Sequence, residues 1–168
     1  MAADAPIPIL LPPPEAATAT GAVVVGYSGG LDSTVLLHRL AAEPAIRPRG
    51  LRAAHVHHGL QGGAHASAGH CERQAAALDV PLQVLRVAVP RDAGSGLEAA
   101  AREARYAALA ATLGPGDLLA TAHHLDDQAE TFLLRALRAS GPDGLGAMRP
   151  LRPLGHAWQW RPLLELPR

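Results

Sequence analysis

GYSGGLDST, Gly26 to Thr34, stands between the apolar run AVVV that ends at Val25 and VLLHRLAAE, whose apolar residues recur at helical spacing. Glycines at such a junction permit backbone geometry that other residues resist. Successive N–H groups can then turn inward and, with the N-terminus of the following helix, cradle an anion. Ser28 and Ser33 add hydroxyl donors, so phosphate is the natural guest. Asp32 repels a bare phosphate; either a divalent cation sits between them, or the carboxylate caps the helix. The stretch is not a Walker loop, which needs a Lys that this chain does not contain, and it lacks the GxGxxG spacing of dinucleotide folds.

Outward from that stretch, strands and helices alternate. GLRAAHVHHG reads as a second strand ending near His57, and ASAGHCERQAAALD as a helix ended by Val80-Pro81. LQVLRVAV reads as a third strand, LEAAAREARYAALAATLG as a helix, DLLATA as a fourth strand and DDQAETFLLRALRAS as a helix. Gly141 to Pro150 is a Gly/Pro-rich loop, and WQWRPLL is expected as a fifth, edge strand. The expected fold is α/β: a doubly wound, mainly parallel five-stranded sheet with helices on both faces. Ligands of such sheets bind beyond the carboxyl ends of the strands, where GYSGGLDST, HVHHGL and TAHHLDDQAE all fall.

The 168 residues suffice for one domain with a core of small aliphatics, and there are few aromatics. Residues 1–20, broken by prolines and without a basic start, read as a flexible lead-in rather than a signal peptide or membrane span; 21–168 form the domain. Acidic and basic residues balance at fifteen each, which excludes a strong global field for nucleic acid but not a local one. From Thr131 onward six arginines face only Asp143 and Glu165, so that end either meets phosphate or is a solvated basic surface. The single cysteine, Cys71, excludes an internal disulfide, a CxxC metal site and a paired-thiol relay, and makes the cytosol the default location.

SGGLDS after a first buried strand resembles the PP-loop of the ATP pyrophosphatases, whose Rossmann-like fold is of the adenine nucleotide alpha hydrolase type. TAHHLDDQAETFLLRALRASG narrows the resemblance to the tRNA(Ile)-lysidine synthetases, as do HVHHGL, GLEAAAREARYAAL, GLGAM and RPLL; the likeness runs from about Ala22 to Leu164. It implies ATP and magnesium, and free lysine joined to the wobble cytidine of a CAU-anticodon isoleucine tRNA. The cytosine oxygen takes AMP, pyrophosphate leaves, and the lysine ε-amine then displaces AMP. The pyrophosphate cradle is carried to Ser28, Gly29, Gly30, Leu31, Asp32 and Ser33, and the adenine and ribose pocket to His55 and Val56. Asp32 and Asp127 are carried as magnesium ligands, and Asp32, Arg102, His123, Asp127 and Glu130 as catalytic residues. Family members usually continue into tRNA-gripping C-terminal domains, so the chain is expected to be the catalytic domain alone; a homodimer is left open.

Blander readings stand beside these. Asp127 and Glu130 also fit a capping box with Asp127 as the N-cap. His55, His57, His58, His123 and His124 lack the spacing of a closed zinc site. His57 stands where the family's HVNHGL carries Asn, and His124 is equally well structural. Arg102 and Arg105 share a helix face and either clamp phosphate or the base, or pair with Glu98 or Glu103. Ser140, Gly141, Gly144 and Gly146 lie in a loop that either folds over the substrate or merely turns. The rivals are a tRNA thiolase of the same superfamily, which commonly uses cysteine pairs or an iron–sulfur cluster, and an ATP-binding module without catalysis.

Overall fold

The structure, a computed structural model, describes residues 21–57, 64–89, 96–137 and 148–168. The expected lead-in, His58 and the loop positions Ser140, Gly141, Gly144 and Gly146 lie outside these residues. The described elements are β1 (Val23–Gly26), α1 (Leu31–Ala42), β2 (Leu51–His57), α2 (Ala64–Ala77), β3 (Leu82–Arg86), α3 (Leu97–Ala110), β4 (Leu118–Ala120), α4 (Leu125–Leu137), β5 (Leu151–Leu154) and β6 (Ala157–Trp160).

Strand order is β3-β2-β1-β4-β6-β5, with every pair parallel except β5 and β6. β1 is buried on both faces, as its unbroken run of valines requires. Val23 and Val25 pack with Leu36, Leu37 and Leu40 of α1 and Cys71 and Ala75 of α2, while Val24 packs with Leu109 of α3 and Leu113. The chain therefore winds to one side through α1 and α2, then crosses to the other face through α3. The direction of winding reverses between β1 and β4, and a crevice opens beyond their carboxyl ends.

The sheet has six strands rather than the five expected, and the last apolar run is not its edge. AWQW (β6) pairs parallel with β4 and lies inside the sheet, with Gln159 and Trp160 buried. The edge is LRPL (β5), which folds antiparallel onto β6 across a turn in which Gly155 takes a φ of 60°. Its Pro153 lacks an N–H to donate, which suits an edge position. That proline is also why the segment carries no strand signal in sequence.

Asp117 ties the opposite end of the sheet. It accepts the backbone N–H of Ala22 at 2.8 Å, that of Gly114 at 2.8 Å, and the Arg52 guanidinium at 2.7 Å. The starts of β1 and β4 are thereby held in register, which sets where their other ends deliver the site.

Candidate active site

The loop after β1 turns sharply at Gly29, where φ is +83° and an added Cβ would lie 2.7 Å from the Cys71 sulfur. Only glycine satisfies both the left-handed backbone and the close approach of α2. Ser28 Oγ and Ser33 Oγ lie 2.9 Å apart, and the Ser33 and Thr34 hydroxyls donate to the Gly30 carbonyl at 3.0 and 2.9 Å. The first α-helical bond runs from Thr34 N–H to Gly30 O. The amides of Leu31, Asp32 and Ser33 precede it and have no acceptor within the helix, the arrangement that attracts an anion.

Asp32 does not cap α1, whose N-cap is Gly30. Its carboxylate instead points across the crevice, with one oxygen 3.9 Å from His124 Nε2 and the other 3.3 Å from Arg168 Nε. Asp127 approaches the same His124 Nε2 at 3.5 Å from the first turn of α4. The expected capping box is shifted by one turn, because α4 begins at Leu125 rather than after Asp127. His124 occupies the cap position, and Asp127 is the residue that reaches back, accepting the His124 N–H at 2.8 Å. Glu130 is left exposed one turn further on.

A cavity of about 600 Å³ opens at the carboxyl ends of β1, β2 and β4. Ser28, Gly30, Asp32 and Ser33 line one wall, His55, Val56 and His57 another, and His123, His124 and Asp127 a third, with Arg105 and Tyr106 of α3 opposite. Of the residues expected at the site, Gly29 backs onto Cys71, Leu31 is exposed, and Arg102 and Glu130 lie outside the lining. Arg105, rather than Arg102, faces the cavity; Arg102 stacks on Tyr106 at 5.5 Å from the ring centre. His55 donates from Nδ1 to the Tyr27 carbonyl at 2.8 Å, since that oxygen can only accept.

Arginines dominate the α3 side. Arg102, Arg105 and Arg152 surround the Tyr106 ring at 5.5, 5.7 and 5.8 Å, and Arg161 is buried beside them. None has a carboxylate partner among the described residues. Their charge bears on His123. Burial first, then Arg161, and more weakly Arg102 and Arg105, lower its pKa to about 4 against the opposing pull of Asp127. His123 is consequently a neutral imidazole at physiological pH. Burial also pushes the Cys71 thiol upward, away from the reactive thiolate.

A family model described as the PP-loop domain matches residues 11–168. The chain belongs to the PP-loop family. It is 67% identical over 148 residues to a tRNA(Ile)-lysidine synthase of Xanthomonas campestris pv. campestris (strain 8004), covering 88% of this chain and 34% of the relative. It is 52% identical over 147 residues to one of Escherichia coli O157:H7, covering 87% and 34%. The chain spans about a third of the length of these curated relatives. Among solved structures, the U34-tRNA thiolase NcsA of Methanococcus maripaludis superposes with a TM-score of 0.65 at 19% identity, over 89% of this chain and 54% of that one. That likeness shows the PP-loop fold, as the strand order already indicates.

Several residues of this PP-loop site escape a reading of motifs. Thr121 at the end of β4, Gln159 and Arg161 on and after β6, and Tyr106 on α3 form a hydrogen-bonded group behind His123. The one available signal is Gln159 itself, a polar residue within the apolar strand AWQW. Such a residue needs buried partners.

Proposed function

We propose that this PP-loop domain carries the ATP-dependent joining of free lysine to the wobble cytidine of a CAU-anticodon isoleucine tRNA. The observation that carries the reading is the single cavity shared by the Ser28–Ser33 cradle and the Asp32 and Asp127 carboxylates, in a chain so similar to relatives named for that reaction. The adenine and ribose enter beside His55 and Val56, and the departing pyrophosphate is received by the amides at the start of α1. The cytosine carbonyl oxygen attacks the α-phosphorus, and the bond to the β-phosphate oxygen breaks. The ε-amine of lysine then attacks the activated ring carbon, the carbon–oxygen bond breaks, and AMP leaves with the oxygen.

Asp32 and Asp127 supply hard oxygen donors of the kind magnesium prefers, which fits an ion held by one or two carboxylates together with phosphates. Bound there, magnesium would neutralise charge on the phosphates. Arg105 on the opposite wall and neutral His123, beside Asp127, orient the α-phosphate by hydrogen bonds. With its pKa near 4, His123 is a poor acceptor for the amine's proton at neutral pH. That proton passes to a nearby carboxylate. The arginines around Tyr106 continue the wall outward and offer a surface for the phosphates of RNA, whose wobble base is single-stranded and can be splayed inward. No helix among the described residues is long and apolar enough to cross a membrane. Modification of tRNA places the protein in the cytoplasm.

Sulfur transfer is disfavoured by the one cysteine, buried under the loop with a raised pKa. A binding module without chemistry has no use for a carboxylate pair facing the phosphate cradle. Exchange of labelled pyrophosphate into ATP tests the point, because adenylation is reversible. The proposal expects exchange that requires the isoleucine tRNA; ATP binding with no exchange under any tRNA would leave a binding module instead.

A further inference from the structure

The hydroxyl of Thr121 sits between two groups whose roles fix its proton. Gln159 is completely buried, and its Oε1 receives Arg152 Nε at 2.6 Å and an Arg161 guanidinium nitrogen at 3.1 Å. Guanidinium groups only donate, so the amide oxygen must face them and the amide nitrogen must face the other way. There Nε2 donates to Thr121 Oγ1 at 3.0 Å and to the Tyr106 hydroxyl at 3.2 Å. Thr121 Oγ1 therefore accepts from Gln159 and has one proton left to give. Its two neighbours are His123 Nδ1 at 2.9 Å and the Trp160 carbonyl at 3.5 Å. The carbonyl already accepts the Thr121 N–H at 2.9 Å, and the longer contact is at the limit of a hydrogen bond. The proton belongs to the shorter contact, so Nδ1 of His123 accepts and Nε2 carries the ring proton.

We infer that Gln159 is a positioning residue that, through Thr121, fixes His123 as the Nε2–H tautomer, a hydrogen-bond donor held toward the cavity. The direction is set at the arginines and passed along in one sense: Arg152 and Arg161 orient the Gln159 amide, the amide orients the Thr121 hydroxyl, and the hydroxyl orients the imidazole. Such outer partners decide which ring nitrogen is offered to a ligand. A donor that cannot turn into an acceptor suits an anionic oxygen, and it needs no reorganisation when charge develops there. The identity of that oxygen, on the α-phosphate, rests on the reaction proposed above. The position of the proton does not.

The test locates that proton without turnover. Nitrogen-15 NMR of histidine-labelled protein at mildly alkaline pH should show His123 protonated at Nε2, with a slowly exchanging Thr121 hydroxyl proton close to Nδ1. Gln159→Glu keeps the size of the side chain and still accepts from both arginines, but it presents an oxygen to Thr121 in place of N–H. The hydroxyl should then donate to that carboxylate, and His123 should switch to Nδ1–H. In Gln159→Glu combined with Thr121→Val the relay is cut, and the switch should disappear; Thr121→Ser alone should keep the wild-type state. For turnover, Gln159→Glu should lower kcat on the order of a hundredfold with little change in KM for ATP. Nδ1–H in the wild-type protein overturns the inference even if Gln159→Glu does not fold, and so does a folded Gln159→Glu variant that remains Nε2–H. A correct tautomer switch without any lysine-joining activity would leave the inference standing and remove the proposed reaction.

Discussion

Asp32 at the start of α1 and Asp127 in the first turn of α4 converge on one atom, His124 Nε2, at 3.9 and 3.5 Å. Two strand-to-helix junctions distant in sequence thus present carboxylates to one volume beside the Ser28–Ser33 loop.

Removing either charge is expected to abolish most adenylation, by on the order of a hundredfold or more in kcat at saturating magnesium. Asp127→Ala also removes the acceptor that caps α4, at a cost of about 1 kcal/mol. Asp127→Asn separates the two effects, since its amide oxygen can still accept the His124 N–H. AMP release by Asp127→Asn and Asp32→Asn at wild-type rates would reject the carboxylate assignment.

Gly29→Ala meets two obstacles, the positive φ and the Cys71 sulfur. The variant should lose on the order of 2 kcal/mol of stability and bind ATP more weakly. Adding Cys71→Ala should recover the steric part and leave the backbone part. Denaturant midpoints of the two variants, measured with ATP affinity, check this; equal midpoints for both would mean that the sulfur does not press on the loop.

The neutral state of His123 has a signature in stability. Its folded pKa, about 4, lies below the usual 6.5, so the unfolded chain binds the extra proton first as pH falls. The contribution is fully present above about pH 6.5, and it is lost progressively as pH falls through about 4, up to about 3 kcal/mol in all. Urea midpoints of the wild type and His123→Gln across this range should converge toward acid pH. Parallel curves would show that His123 titrates normally.

Asp117 holds two backbone amides and Arg52 at the end of the sheet remote from the cavity. Asp117→Ala leaves those donors unmatched and should cost about 3 kcal/mol. ATP affinity of the remaining folded protein should not change at a temperature well below the lowered melting point. A melting temperature equal to that of the wild type would contradict the role.

Much of the fold was legible because local signals agreed with the global plan. The valines of β1, buried on both faces, and the glycines after it announce a central parallel strand and the turn that follows it. β5 was not legible, since Pro153 reads as a breaker until β6 offers it an edge. AWQW was recognised as a strand but misplaced, because the pairing of Trp158 with Leu118 is a long-range choice that no local pattern encodes. At the site, side chains carried by motifs mostly line the cavity. The preference for Arg102 over Arg105 did not match the lining, because two residues on one helix face differ in depth only once the helix is docked. The Gln159–Thr121–His123 relay joins three separate segments and exists only in the folded chain.

Whether this cavity splits ATP to join lysine to RNA is decided by a reaction with α-labelled ATP, magnesium and a CAU-anticodon isoleucine tRNA transcript. AMP release and lysine incorporation would be followed with and without free lysine. AMP release should depend on lysine and match its incorporation into the RNA. AMP release that requires a sulfur donor instead, with no lysine in the RNA, would contradict it.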